Sequence, residues 1–438
     1  MDTTPRVRVL AAVVLLTSAL LAGTALTHDP APPTPENAAE AYPGHTLITL
    51  QAEGWFGNDN GYAAIVSPEG ELVWKWGPAD SRIFDAEYLE NGNVLASVAT
   101  VLPAAECPDE FDDEGECVHN RVVEVDYDTK EVVWEYDWYD VFPEYHEVHD
   151  ADRLPNGETA IIDMGNNRAF TVNQEGEITW SWQAEEHIGE GTDWWNEHVS
   201  PSEAEEFRKQ GPESDWTHMN DIDRLDSGHF TLSIRNFDVV LEVDPATNDI
   251  VATYGEPGKH AVMNEQHNPN YLDAHDTMLI ADSENNRVVE IDARTEEIIW
   301  RYDGTGSGEQ LQWPRDADRL PNGNTLITDS RNFRVVEVNA NGSVVWSFDT
   351  QAEFGARGIV YEADRIHLTG EHLPEEPDDV PPGDDLDGRS SGSLREFAAV
   401  VESWLGFVLP PWVGLFELAV ALVDVGALLA LGRELTRS

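Results

Sequence analysis

Lysine is almost missing from this chain: Lys75, Lys130, Lys209 and Lys259 are the only four among 438 residues. Arginine does not compensate. Lys and Arg together number 26 against 84 Asp and Glu, a formal charge of −58. That balance excludes the phosphate-neutralising surface on which nucleic-acid binding depends. Acidity alone would suggest disorder, but 41% of the residues are hydrophobic and 15 are Trp. The chain therefore has the material for a packed core. A densely carboxylated surface suits near-saturating salt, where the Debye length falls to about 3 Å at 1 M and self-repulsion is screened.

Cysteine is equally scarce. Cys107 and Cys117 bracket the segment PDEFDDEGE. In an exported protein, a pair closing so short a loop reads as a disulfide, worth roughly 2–3 kcal/mol in the loop-entropy model. In a cytosolic protein it would read as two free thiols. The acidic loop lacks the Gly-at-six, Glu-at-twelve spacing of an EF-hand, so a solvated loop is the simpler reading than a Ca²⁺ site. Also absent are GxSxG, a P-loop and a dinucleotide fingerprint, which removes the chemistries they carry.

Long apolar runs occur only at the two ends. Residues 1–27 carry Arg6 and Arg8 before a run from Val9 to Leu26, which reads as a signal peptide or a signal anchor. No good small-x-small cleavage site and no cysteine for lipid attachment follow, which favours the anchor. At the other end, residues 394–438 read as a membrane anchor. Trp412 to Leu431 is long enough to span a bilayer, although Asp424 near its centre costs about 2.5–3.5 kcal/mol there. Arginines flank both segments on one side, which places the body outside the cell by the positive-inside rule. Pro- and Ala-rich residues 28–43 and acidic residues 372–393 read as linkers. The globular body is then 44–371.

That body repeats. The clearest copy is RDADRLPNGNTLITDSRNFRVVEVNANGSVVWSF, from Arg315 to Phe348. Its alternating, β-branched segments predict four strands, and its Asn-Gly turns predict hairpins between them. Copies fall near 44–77, 82–137, 146–183, 217–254, 267–302 and 313–349. Four antiparallel strands per period of about 40 residues mark a β-propeller blade. The expectation is an all-β fold: a six-bladed β-propeller of four-stranded antiparallel blades, with hydrophobic membrane helices at the N- and C-termini. The tail 355–370 is expected to complete the ring beside the first blade. The repeated Asp-Arg-Leu (Asp152, Asp223 and Asp318 with Arg153, Arg224 and Arg319) reads as blade-fixing. The fourth-strand tryptophans Trp134, Trp180, Trp300 and Trp346 read as inter-blade core.

Three histidines break the repeat. His149 and His267 occupy one column at the start of a first strand. His218 stands two residues earlier in its own copy, where Asn220 takes the column position. Arg235 ends the second strand that pairs with the strand His218 opens. Most copies place an arginine three positions later (Arg168, Arg287, Arg334), whereas the fourth has Asp238 there. Counted this way, Arg331 shares the column of Arg235. In a propeller these positions meet at the mouth of the central channel. Three imidazoles suit Zn²⁺, but a guanidinium among them favours a tetrahedral oxyanion such as sulfate or phosphate. No metal is expected. Two insertions fall on the same face, the cysteine loop and residues 184–215. In the second, Trp194, Trp195 and Phe207 read either as a partly helical lid receiving an aromatic group or as the insertion's own core.

At DWTHMN (215–220), LSIRN (232–236), QHNPNYL (266–272) and HEVHD (146–150) the chain resembles the arylsulfate sulfotransferase family of exported six-bladed propellers. The likeness runs over about residues 44–371. It implies that a histidine takes a sulfuryl group from an aryl sulfate and passes it to a phenol, with no cofactor, neither PAPS nor metal. By order and motif, His267 takes the place of the nucleophile. His218 and Arg235 take the sulfate-binding and leaving-group places, and His149 a supporting one. Asn220, Asn268, Arg331, Trp194 and Trp195 are expected around the substrate. The membrane tail, acidity and compact blades depart from that family's pattern. Two other readings stand beside it: a non-catalytic propeller holding an anionic ligand or protein partner, and a metal- or quinone-dependent oxidoreductase.

Overall fold

A computed structural model describes residues 5–27, 38–51, 60–111, 115–141, 145–211, 214–304, 310–354, 359–371, 383, 386 and 415–436. The chain forms two compact units, one of residues 1–31 with 392–438, the other of residues 32–391.

The larger unit is a six-bladed β-propeller, as the repeat predicts. Six four-stranded antiparallel sheets follow one another along the chain. Their innermost strands are Ile359–Ile366, Ser81–Tyr88, Val148–Arg153, Met219–Arg224, His267–Leu272 and Pro314–Arg319, in blades one to six. Blade one joins the two ends of the body. Its inner strand comes from the C-terminal tail and pairs with His45–Gln51. Each blade alternates core and channel faces because strand side chains alternate with period two. The Leu-Pro-Asn-Gly hairpins need a left-handed residue at the last position, and Gly157 and Gly323 supply φ of +85° and +83°.

One inter-blade device recurs. The arginine of Asp-Arg-Leu (Asp-Arg-Ile at residues 364–366) reaches back to the preceding blade, where it pairs with a third-strand glutamate and covers a fourth-strand indole. Arg153 does so with Glu124 and Trp134, Arg319 with Glu290 and Trp300, and Arg365 with Glu337 and Trp346. The tryptophans reach forward in turn. Trp74, Trp134, Trp180 and Trp346 donate from Nε1 to Tyr127 O, Gln174 O, Asn248 Oδ1 and Pro68 O in the next blade, at 2.7–3.0 Å. Both repeat features are therefore structural.

Cys107 and Cys117 form the expected disulfide, with Cα atoms 6.0 Å apart, between the second and third strands of blade two. Residues 38–42 pack on blade six, where Tyr42 N donates to Glu337 at 2.6 Å. The other expected linker positions lie mostly outside the described residues.

The smaller unit holds two helices, Pro5–Thr27 and Leu415–Leu435. The stretch Arg6–Gly23 is long and apolar enough to cross a membrane. Asp424, awkward in an apolar helix, accepts from Thr17 Oγ1 at 2.5 Å and from Ser18 Oγ at 3.3 Å. Residues 394–414 lie outside the described residues.

Arg319 and Glu290 are both fully buried. Arg319→Met leaves the carboxylate without its guanidinium and is expected to cost about 3–5 kcal/mol. Denaturant unfolding of the variant checks this, and a loss under 1 kcal/mol, within the range of an exposed ion pair, contradicts it.

Candidate active site

Phe84, His149, Asn220, His267, Arg315 and Tyr361 each stand immediately before the acid or Asn with which its inner strand turns into the channel. Every inner strand is bulged at this level, at Ile83/Ala86, Val148/Ala151, Met219/Asp221, His267/Asn270 and Pro314/Asp316, and opposite Ile48/Leu50 in blade one. A bulge breaks the strict alternation and re-aims a side chain. Here six re-aimed side chains make one ring at the channel mouth. Left-handed backbone gathers there too: His218, Glu265, Asn268 and Trp313 have φ of 45°, 47°, 35° and 54°. Non-glycine residues in that region are held by their surroundings.

Rings pack closely in this mouth. His149 stacks on Phe84 at 4.4 Å and meets His218 edge-on at 5.3 Å. Tyr361 stands between the imidazoles, 5.6 Å from His149 and 5.8 Å from His267. Trp313 lies 6.0 Å from His267, and the Arg315 guanidinium covers both Trp313 and Tyr361, at 4.0 and 4.5 Å. Arg331 lies over the same indole at 4.9 Å. The mouth thus holds three imidazoles and three guanidinium groups, those of Arg235, Arg315 and Arg331.

The hydrogen bonds decide what the imidazoles present. Ser283 Oγ donates to Pro314 O at 2.6 Å, so its oxygen accepts from His267 Nδ1 at 2.8 Å. The proton of His267 is then on Nδ1, and Nε2 carries the lone pair. His218 Nδ1 lies 2.9 Å from both oxygens of Asp215, which fixes its tautomer in the same way. Burial, then the nearby positive charges, hold both His149 and His267 well below the ordinary value of 6.5, and Arg315 and Arg235 act on each. Burial and Arg235 lower His218 as well. Burial opposes ionisation of Asp215, yet His218 and Arg235 keep its carboxyl at about 2. Burial, with Arg235 and Arg331 nearby, pushes Arg315 down to about 9, still a cation at neutral pH.

The insertion between blades three and four positions two of these groups. Its last residues are tied to the Arg235–Phe237 turn: Asn236 N donates to Thr217 O at 3.0 Å, and Asn236 Nδ2 to Asp215 O at 2.9 Å. Arg235 itself pairs with Glu265. Trp194 and Trp195 are 7% and 5% exposed and pack with Phe207, Trp216 and Phe237. These aromatics form a core that the insertion shares with blades three and four. Trp194 Nε1 is used by Thr253 at 2.9 Å.

Asn220 is buried in the ring, its amide donating to Gln266 O at 2.9 Å. Asn268 lies one residue below His267 and lines the channel rather than the mouth. The column assigned to Arg331 is corrected by strand pairing. Ile234 faces Val239 as Asp329 faces Arg334, so Arg235 matches Ser330 and Ser283, and Arg331 matches Asn236. Arg168, Arg287 and Arg334 pair with Asp163, Asp282 and Asp329. Blade four has Ile234 and Val239 in place of that pair, and its arginine stands at the mouth. Sequence reasoning missed Arg315, Tyr361 and Trp313. The first two could have been found, since they occupy the column of His149 and His267 in the sixth repeat and the closing tail.

Residues 164–353 match the model of the arylsulfotransferase (ASST) family. The match covers less than half of the chain but takes in His218, Arg235, His267, Arg315 and Arg331, and it supports an arylsulfotransferase-like function in general. No curated protein matches. Solved structures similar to this chain include a protein of unknown function from Bacteroides caccae, at 16% identity and TM-score 0.48, covering 73% of this chain and 98% of that one. Another is the periplasmic gluconolactonase of Pseudomonas aeruginosa, at 11% identity and TM-score 0.43, covering 74% and 86%. Virginiamycin B lyase from Staphylococcus aureus, at 9% and 0.39, covers 70% and 89%. These structural likenesses carry no functional argument.

Arg168→Ala strips a fully buried Asp163 of its guanidinium and is expected to cost about 3 kcal/mol. Arg235→Ala leaves the part-exposed Glu265 and should cost about 1 kcal/mol or less. Thermal unfolding of the two variants checks this, and equal losses would contradict the assignment of Arg168 as structural and Arg235 as functional.

Proposed function

We propose that this protein is a sulfotransferase that moves a sulfuryl group from an aryl sulfate to a phenol through a sulfohistidine. The observation that carries this reading is the gathering of three neutral imidazoles with Arg235, Arg315 and Arg331 at one channel mouth. An oxyanion is held by guanidinium groups, whereas a metal cation is opposed by them. Neutral imidazole is a good nucleophile near neutral pH.

In the first half-reaction His267 Nε2 attacks sulfur, the N–S bond forms and the aryl O–S bond breaks, releasing a phenolate. His267 keeps its proton on Nδ1, donated to Ser283 Oγ, throughout. Arg235 and Arg315 stabilise the charge on the sulfuryl oxygens as it is transferred. In the second half-reaction the acceptor phenol attacks sulfur and the N–S bond breaks. His218, oriented by Asp215, accepts the acceptor's proton at Nε2 and returns it to the departed phenolate through solvent. His149, packed between Phe84 and Tyr361, supports the sulfuryl group. Trp313 and Tyr361, both beneath the Arg315 guanidinium, hold that cation at the mouth. No step requires PAPS or a metal.

The Cys107–Cys117 disulfide suits an oxidising compartment. With the apolar Arg6–Gly23 stretch and the C-terminal helix, it supports a cell-membrane protein whose propeller faces outward.

The test is 4-nitrophenol release from 4-nitrophenyl sulfate at molar salt, with and without added phenol. Release should rise with phenol, and His267→Ala should lower it roughly a thousandfold or more. Because burial and arginines disfavour the imidazolium, the acid limb of kcat/KM should lie below 6.5, the ordinary imidazole value. A limb above 6.5, or His267→Ala with wild-type turnover, contradicts the mechanism. A folded protein with no release favours the propeller that only binds an anion.

A further inference from the structure

Below the mouth, the channel walls are carboxylates. The residue after each ring position is an acid in five blades and Asn268 in blade five, and the next channel-facing residue repeats the pattern with Asn270. The cavity they line measures about 230 Å³, room for several waters at about 30 Å³ each.

The upper acids have a structural task that accounts for most of them. Each accepts from the backbone N–H of the following blade's inner strand: Asp85 from Ala151 at 3.1 Å, Asp150 from Ile222 at 2.6 Å, Asp316 from Ala363 at 3.0 Å and Glu362 from Ala86 at 3.1 Å. The series breaks at blade four. The residue opposite Asp221 is Pro269, which has no N–H to give. Asp221 is 7% exposed, and its Oδ2 has no hydrogen-bond partner. On the next blade the buried Oδ1 of Asn268 has none either. Both residues line the cavity. A buried carboxylate oxygen without a partner is costly unless the group takes up a proton, as burial and the neighbouring Asp223 and Asp150 favour here, or a cation meets it.

We infer that the channel holds a hydrated divalent cation, Ca²⁺, against Asp221 and Asn268 between blades four and five. The donors are all oxygens, which suits a hard cation, and the flexible, partly hydrated coordination of Ca²⁺ is easier to complete here than the octahedral shell that Mg²⁺ demands. Among the described residues the one group of three ligand side chains within direct reach of a metal is His119, Glu135 and Asp137 on blade two. The channel donors are more widely spaced, so water completes the shell, and Asp223 and Asp318 in the lower ring balance the charge. This inference stands apart from sulfuryl transfer, because it concerns the wall below the mouth.

The full chain in detergent and molar NaCl, freed of metal with EDTA, is titrated with Ca²⁺ by equilibrium dialysis. Wild type should take up about one ion per chain saturably, and Asp221→Asn should bind roughly tenfold more weakly or worse. Pro269→Ala restores an N–H opposite Asp221 and should also weaken binding, while raising no new charge. Glu135→Gln with Asp137→Asn should bind as wild type. No saturable uptake by wild type, or wild-type affinity in both Asp221→Asn and Pro269→Ala, overturns the inference. So does loss of binding confined to the Glu135/Asp137 variant. Should Asp221→Asn not fold, Pro269→Ala decides alone.

Discussion

Pairing of Ile359–Ile366 with His45–Gln51 is the contact on which the rest of the ring depends. It joins segments some three hundred residues apart, so its loop-closure cost is met only when the other blades are in place. Once made, it leaves no blade without an inner strand. It also delivers three groups that no other strand supplies: Tyr361 between His149 and His267, Glu362 to the Ala86 amide, and Arg365 to Glu337 across the last blade boundary. Ring closure and site assembly are therefore one event.

Electrostatics set the second constraint. A chain of formal charge −58 repels anions at long range, yet its channel mouth collects Arg235, Arg315 and Arg331. Salt shortens the reach of the surface charge to a few ångströms, while the buried guanidinium groups act at contact distance in a low dielectric. The same burial keeps His149, His218 and His267 neutral. Along the inner strands the mouth ring carries imidazoles and Arg315 and the carboxylates stand one residue deeper, while Asp215 and Glu265 pair with His218 and Arg235 at the mouth. Blade five alone carries Asn268 and Asn270 at both carboxylate levels, directly below His267, which spares the proposed nucleophile a negative neighbour.

Much of this was legible in the sequence, because a repeat converts position along the chain into position in space. Blade number, strand order, the structural pairs of Arg168, Arg287 and Arg334, and the meeting of His149, His218 and His267 all follow from register. What register hid has physical causes. The turns after Ile234 and Asp329 are equally long, but Arg-Asn-Phe begins one position later in the second, so matching those letters put Arg331 in the column of Arg235, and only strand pairing shows that it matches Asn236. Trp194 and Trp195 lie in an insertion outside the repeat, so no column fixed them, and packing around Phe237 decided their place. Arg315 and Tyr361 were in the right column but belonged to residue types shared with neighbouring structural motifs. The Asp of Asp-Arg-Leu was read as blade-fixing with its arginine; its side chain instead faces the channel, since alternation sends adjacent residues to opposite faces.

Trapping the intermediate tests the central claim most directly. The protein is mixed with an aryl sulfate in the absence of acceptor, quenched at alkaline pH and digested, and its peptides are read by mass spectrometry. The account predicts one added sulfuryl group on the peptide containing His267, discharged by phenol and absent from His267→Ala. Turnover with no sulfated histidine, or with the group on His149 or His218 instead, would contradict it.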